Sequence, residues 1–130
     1  MWAVFFFFIL IGCASPTVED YQEQGEAVQR AIVRDLRKIH QVEELQAAVP
    51  RLRSHFNHLV DVVIEAREHF DAENIASSHG HWSSALRLEM IRLYALEGAR
   101  DVFEGAQREA LTRLDRYEKE RAERVPKGIR

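Results

Sequence analysis

Cysteine occurs once in this chain of 130 residues, at Cys13, so no disulfide can form within it and the fold must hold by core packing alone. Six glycines and three prolines leave few natural breaks, while the strong helix formers Ala, Leu, Glu and Arg are common. An excess of one charge is also missing: 18 Lys and Arg stand against 21 Asp and Glu, interspersed, for a net charge of −3. That balance gives no bulk attraction to nucleic acid or anionic lipid. The longest stretch without charged or strongly polar side chains runs only from Trp2 to Ile11. A helix of about twelve residues reaches roughly 18 Å against a hydrocarbon core of about 30 Å, so this stretch cannot span a bilayer. Internal repeats and low-complexity segments are absent, and the length suits one domain.

What is present begins with that apolar run. Its length is that of a signal-peptide core, which needs about 7–15 apolar residues. It ends in Leu10-Ile11-Gly12-Cys13. The tetrapeptide resembles the lipobox of bacterial lipoproteins: an aliphatic residue, a small or aliphatic one, Gly, then the Cys that receives lipid. The resemblance implies that residues 1–12 are a cleaved signal peptide and that Cys13 becomes a lipidated N-terminus. Residues 13–17 would then be the lipidated Cys and a short tether. It further implies a lipid-anchored membrane protein of the bacterial cell envelope, with the outer membrane favoured because no Asp follows the Cys. Such proteins carry two or three acyl chains, enough for stable anchoring where one chain is marginal. The alternative is a buried N-terminal helix or strand with a free core Cys. The resemblance covers the first fourteen residues and speaks to processing, not activity.

Residues 18–125 are expected to form a helical bundle and residues 126–130 a tail. Thr17 is the expected N-cap of the first helix, with Glu19 and Asp20 at the positive end of its dipole. Tyr21, Val28, Ile32, Leu36, Ile39, Val42 and Leu45 then recur at helical spacing and mark its buried face. Pro50 disfavours helical dihedrals at Val49 and suits the first turn of a new helix, so a break is expected at Ala47–Pro50. The apolar spacing nevertheless continues through Pro50, and a long helix kinked there is the alternative. The second helix is expected to run from Pro50 to about Glu73, with Leu52, Phe56, Leu59, Val60, Val63 and Phe70 inward and Val62 and Ile64 widening that edge. Asn74–His81 reads as a loop. The third is expected from near Trp82 past Arg121, inward at Leu86, Met90, Leu93, Leu96, Phe103, Ala106, Ala110, Leu114 and Tyr117. On it, Gly98, Ala99, Gly105 and Ala106 would let a neighbouring helix approach closely, and Glu109–Arg113, Asp115–Lys119 and Glu120–Arg124 stand four apart with the acid first.

Four groups of residues are candidates for chemistry. His69, His79 and His81, with Glu65 and Glu73, lie near one end of the bundle and could hold Zn²⁺ or Cu²⁺. The bland alternative is solvated surface and loop histidines. His55 and His58 sit three apart on one face but lie too far from His69 to share a site. Glu43, Glu44, Glu65, Glu68, Glu89 and Glu97 could pair as acid and base, yet the Glu-x-x-His spacing of di-iron bundles is absent. Arg30, Arg34, Arg37 and Lys38, with Arg51 and Arg53, form a basic cluster that could meet lipid headgroups or an anionic polymer of the envelope, although Glu26, Asp35, Glu43 and Glu44 interrupt it. Phe56, Phe70, Trp82, Tyr94, Phe103 and Tyr117 form an aromatic stripe that is expected to be core rather than a ligand slot.

The expectation is therefore an all-α protein: an antiparallel three-helix bundle with a long C-terminal helix, or else a long helical hairpin kinked at Pro50. Its expected role is that of a membrane-anchored envelope lipoprotein, a structural or protein-interaction module with a protein partner or self-association. No catalysis, cofactor or nucleic acid is expected. The alternative function is small-ligand or metal binding at the His69/His79/His81 end.

Overall fold

The computed structural model describes residues 15–70 and 83–124. Among them the fold is all-α: α1 Val18–Arg37, α2 Val42–His69, α3 Ser83–Tyr94 and α4 Ala99–Arg124. Cys13, Trp82, the Asn74–His81 segment and residues 126–130 lie outside the described residues.

The start of α1 follows from its sequence. Thr17 accepts a hydrogen bond from the Asp20 backbone N–H at 3.2 Å, and the Asp20 carboxylate accepts one from the Thr17 N–H at 2.8 Å. This reciprocal capping satisfies donors that have no partner inside the helix. No close approach requires glycine at position 25, where an added Cβ would stand 4.0 Å from Leu59, so its cost to the helix is that of backbone freedom alone.

The chain does not break at Pro50. α1 ends at Arg37, a four-residue turn follows, and α2 runs through Pro50 without interruption. Proline removes the bond that the Gln46 carbonyl would accept. Both residues face solvent, so water can take that bond and the ring meets no packed neighbour. The earlier turn needs no glycine: Lys38 and Ile39 donate back to the Asp35 and Leu36 carbonyls at 3.3 and 3.0 Å, and buried Ile39 pins it to the core.

The expected third helix is two helices. The chain reverses after Tyr94 through a turn in which the Ala99 N–H donates to the Leu96 carbonyl at 3.2 Å. Gly98, at φ +78, holds the left-handed position that such a turn requires. The long C-terminal helix is present, but it begins at Ala99 and runs against α3 rather than continuing it.

Cross-helix pairs give the directions. Asp35 meets Arg51 and His55 while Tyr21 meets His69 and Phe70, so α1 and α2 are antiparallel. Arg113 bonds Asn57 and Asp61, Arg67 bonds Glu118, and Arg124 approaches Glu68, so α2 and α4 run parallel. α3 lies along α1 in the same direction, with Ala85 beside Gln29 and Val33 and Arg92 at the Leu36–Ile39 end. The bundle is thus two helical hairpins side by side, α1–α2 and α3–α4, with both turns at one end.

The core fills the space between them. Ile32, Leu36, Leu45, Leu52, Leu93 and Phe103 are its fully buried large side chains. Phe103 meets Phe56 and Tyr94 edge-on, with ring centres 5.6 and 5.9 Å apart. Ala99, Ala106 and Ala110 are buried in the same core, whereas the space beside Gly105 is open. Of the small residues expected to admit a neighbouring helix, Ala99 and Ala106 do so inside the protein's own core. Arg113 and Arg124 likewise turn to α2 rather than to the acids four residues before them.

A proline in a helix interior costs about 3 kcal/mol relative to alanine. Pro50→Ala is therefore expected to raise stability by about 1–3 kcal/mol in urea denaturation. A fall in stability would show that the helix needs the ring.

Candidate functional site

The seam between α1 and α3 is held by polar contacts from one arginine and one glutamate. Arg92 donates from its two terminal nitrogens to the Ile39 and Leu36 carbonyls, at 2.7 and 2.6 Å. These carbonyls lie at the C-terminal end of α1, where helical partners run out and the dipole is negative. The remaining Arg92 nitrogen bonds Glu89 at 2.9 Å. Glu89, mostly buried, also faces Arg37 at 3.5 Å. One guanidinium and one carboxylate thus lock α3 to α1.

Next to this lock is a groove of about 390 Å³ lined by Gln29, Arg30, Val33, Arg34, Arg37 and Ala85, with Glu26 at one side. Glu26 stands 3.8 Å from Arg30. The Gln29 side chain is 2% exposed, and neither its amide nitrogen nor its oxygen has a hydrogen-bond partner. The sequence cluster is divided here. Arg30, Arg34 and Arg37 belong to this seam, while Arg51 turns to Asp35 on the α1–α2 side at 3.8 Å. Arg53 is exposed on α2.

A second groove of about 560 Å³ separates α3 from α4. Met90, Tyr94 and Leu111 give it an apolar strip, and Arg100, Glu104 and Arg108 give it a rim of both signs. Arg100 bonds Glu104 at 2.9 Å and lies 5.4 Å over the Tyr94 ring. Leu111 is 53% exposed. No sequence signal marked this strip, because an apolar residue on a charged helix looks like core.

The histidine end is only partly described. His69 is exposed and stacks against Tyr21, with ring centres 6.0 Å apart. His79, His81 and Glu73 lie outside the described residues. Among the described residues, no three metal-ligating side chains converge. His55 donates or accepts at Asp35, 3.2 Å away, and His58 is exposed on the same helix. Of the carboxylates, Glu89 is held between Arg37 and Arg92, and Glu68 faces Arg124.

Three tyrosines have phenols raised above the ordinary value of 10.0, each chiefly by burial. Glu65 and Asp20 add to this at Tyr21, and Glu68 adds to it at Tyr117. The Tyr117 hydroxyl is buried without a hydrogen-bond partner. At Tyr94, Glu104 raises the value further and Arg100 opposes it.

No protein-family model, curated protein or solved structure matches the chain.

Two outcomes follow from this geometry. Arg92→Ala should lower stability by about 2–3 kcal/mol, since bonds to a charged donor contribute about 1.5–3 kcal/mol each before water replaces them. Arg92→Lys should recover part of the loss, and an unchanged denaturation midpoint for Arg92→Ala would refute the lock. The tyrosines fold in their neutral form, so their contribution is intact below pH 10 and is lost as pH rises through the raised values. Circular dichroism should show alkaline loss of helix that the Tyr21→Phe/Tyr117→Phe double variant reduces.

Proposed function

We propose that this chain is a bacterial envelope lipoprotein, held at the membrane through lipid on Cys13, whose bundle serves as a structural or protein-interaction module without catalysis. The anchor rests on the run Trp2–Ile11 and the Leu10-Ile11-Gly12-Cys13 motif. Among the described residues no helix is long and apolar enough to cross a membrane.

The observation that carries the interaction role is the α3–α4 groove. An apolar strip with one exposed Leu and one Tyr, rimmed by mixed charge, has the make-up of a protein interface: an apolar centre and a polar rim. A second copy of the chain or a different envelope protein could fill it. In both cases the groove acts by shape and apolar contact rather than by bond-making chemistry.

Two measurements test this. Expressed in a bacterium with its full N-terminus, the chain should have a mass corresponding to a mature form that starts at Cys13 and carries acyl groups, and Cys13→Ser should lack them. A chain retaining Met1–Gly12 without lipid would overturn the anchor. A photo-crosslinking residue at Leu111 should trap a protein, whereas one at exposed Ser54 should not. No adduct specific to Leu111 would overturn the groove as an interface.

A further inference from the structure

The outward side of α3 is apolar where solvent should make it polar. Leu88 is 68% exposed and Ile91 62% exposed, three residues apart on the same side of the helix. The inward side of α3 already supplies Leu86 and Leu93 to the core. A second apolar stripe on a twelve-residue helix is thus surplus to folding. Around it, the exposed α3 residues Ser84, Arg87 and Arg92 include no acid. Arg30, Arg34 and Arg37 of α1 extend the basic flank across the adjoining groove. The acids within that area are Glu26, beside Arg30, and Glu89, mostly buried between Arg37 and Arg92. Arg34 and Arg87 form no ion pair with any described residue. The chain is net acidic, yet among the described residues this face carries four arginines, besides the Arg92 spent on the Leu36 and Ile39 carbonyls, against two acids.

We propose that the α1–α3 face lies on an anionic phospholipid surface, with Leu88 and Ile91 entering the headgroup boundary and the flanking arginines meeting lipid phosphates. An apolar stripe flanked by arginines is the pattern of helices that rest in the plane of a bilayer. Charge complementarity selects the occupant: a protein partner would need an acid-rimmed apolar groove, whereas anionic lipid supplies both features at once. A second copy does not, because its corresponding face would repeat the same positive charge. This inference rests on the anchoring proposal for bringing the bundle to a bilayer, but the face itself is independent of Cys13.

The test uses the full chain in its Cys13→Ser form, so that no acyl group contributes. An environment-sensitive fluorophore is attached at Ile91→Cys and, separately, at Ser54→Cys on α2. Vesicles are phosphatidylcholine alone or with about one-third phosphatidylglycerol. The expected result is a blue shift at position 91 with anionic vesicles only and none at position 54. In the position-91 probe, Arg34→Gln/Arg87→Gln should weaken partitioning about 25-fold, each arginine near an anionic surface accounting for about fivefold. No shift at 91 while the chain cosediments with vesicles would mean that Met1–Gly12 alone touches the membrane, and would overturn the proposal. Equal shifts at both positions, or equal shifts with both lipids, would also overturn it, as would a shift at 91 without vesicles, which would point to a second copy. A negative mass result for lipid on Cys13 would overturn the anchor and leave this measurement standing.

Discussion

Everything about the α3–α4 hairpin depends on how a short helix is held against α1. α3 has twelve residues, too few to be stable as an isolated helix. It gives the core two buried leucines and gains the Arg92 lock. A positive guanidinium at the negative end of α1 is satisfied twice over, by geometry and by the helix dipole. Because the same arginine is tied to Glu89, and Glu89 to Arg37, the position and rotation of α3 are fixed together. That rotation leaves Leu88 and Ile91 facing outward.

The second constraint is the parallel pairing of α2 with α4. Parallel neighbours align their dipoles, which is mildly unfavourable, whereas each antiparallel hairpin opposes them. The α2–α4 contact compensates in two ways. Small residues bury deeply, with Ala48 on α2 and Ala99, Ala106 and Ala110 on α4 in one core, so side chains such as Phe56 and Phe103 interlock. The outer edge is stitched by Arg113 to Asp61, Arg67 to Glu118 and Arg124 to Glu68. Exposed ion pairs contribute modestly one by one, and their main effect is to fix register.

Much of this was legible in the residues. The Thr17 cap is present, and Tyr21, Val28, Ile32, Leu36, Leu52, Phe56 and Val60 are buried where the helical spacing places them, because periodicity reports burial. Ile39, Val42 and Leu45 are inward too, but in the turn and on α2 rather than on α1. Two boundaries were misread for physical reasons. Pro50 marks a break only if its neighbours need the lost hydrogen bond inside the protein, and on a solvent-facing turn they do not. Gly98 looked like a place for close packing, but glycine at a reversal is there for its positive φ, and spacing cannot distinguish the two uses. The partners of Arg113 and Arg124 were hidden for a similar reason: local spacing offered acids on α4, while the parallel α2 offered better-placed ones. Of the metal candidates, His69 is exposed against Tyr21, and His79 and His81 fall outside the described residues, as does Cys13. The α3–α4 groove carried no sequence signature at all, since a groove is a property of two helices and not of either one.

Placing both turns at one end of the bundle bears on how the chain reaches its fold. Each hairpin closes through a short connection, so α1–α2 and α3–α4 can form from local contacts. The two seams that join them, α2 with α4 and α1 with α3, connect residues more than fifty positions apart. Closing such loops costs entropy before any contact repays it. The α1–α2 pair can therefore form first and expose an apolar flank, whereas α3, too short to stand alone, gains its place only on meeting α1. While that apolar flank waits for its partner, the chain is at its most open to aggregation or to capture by another chain.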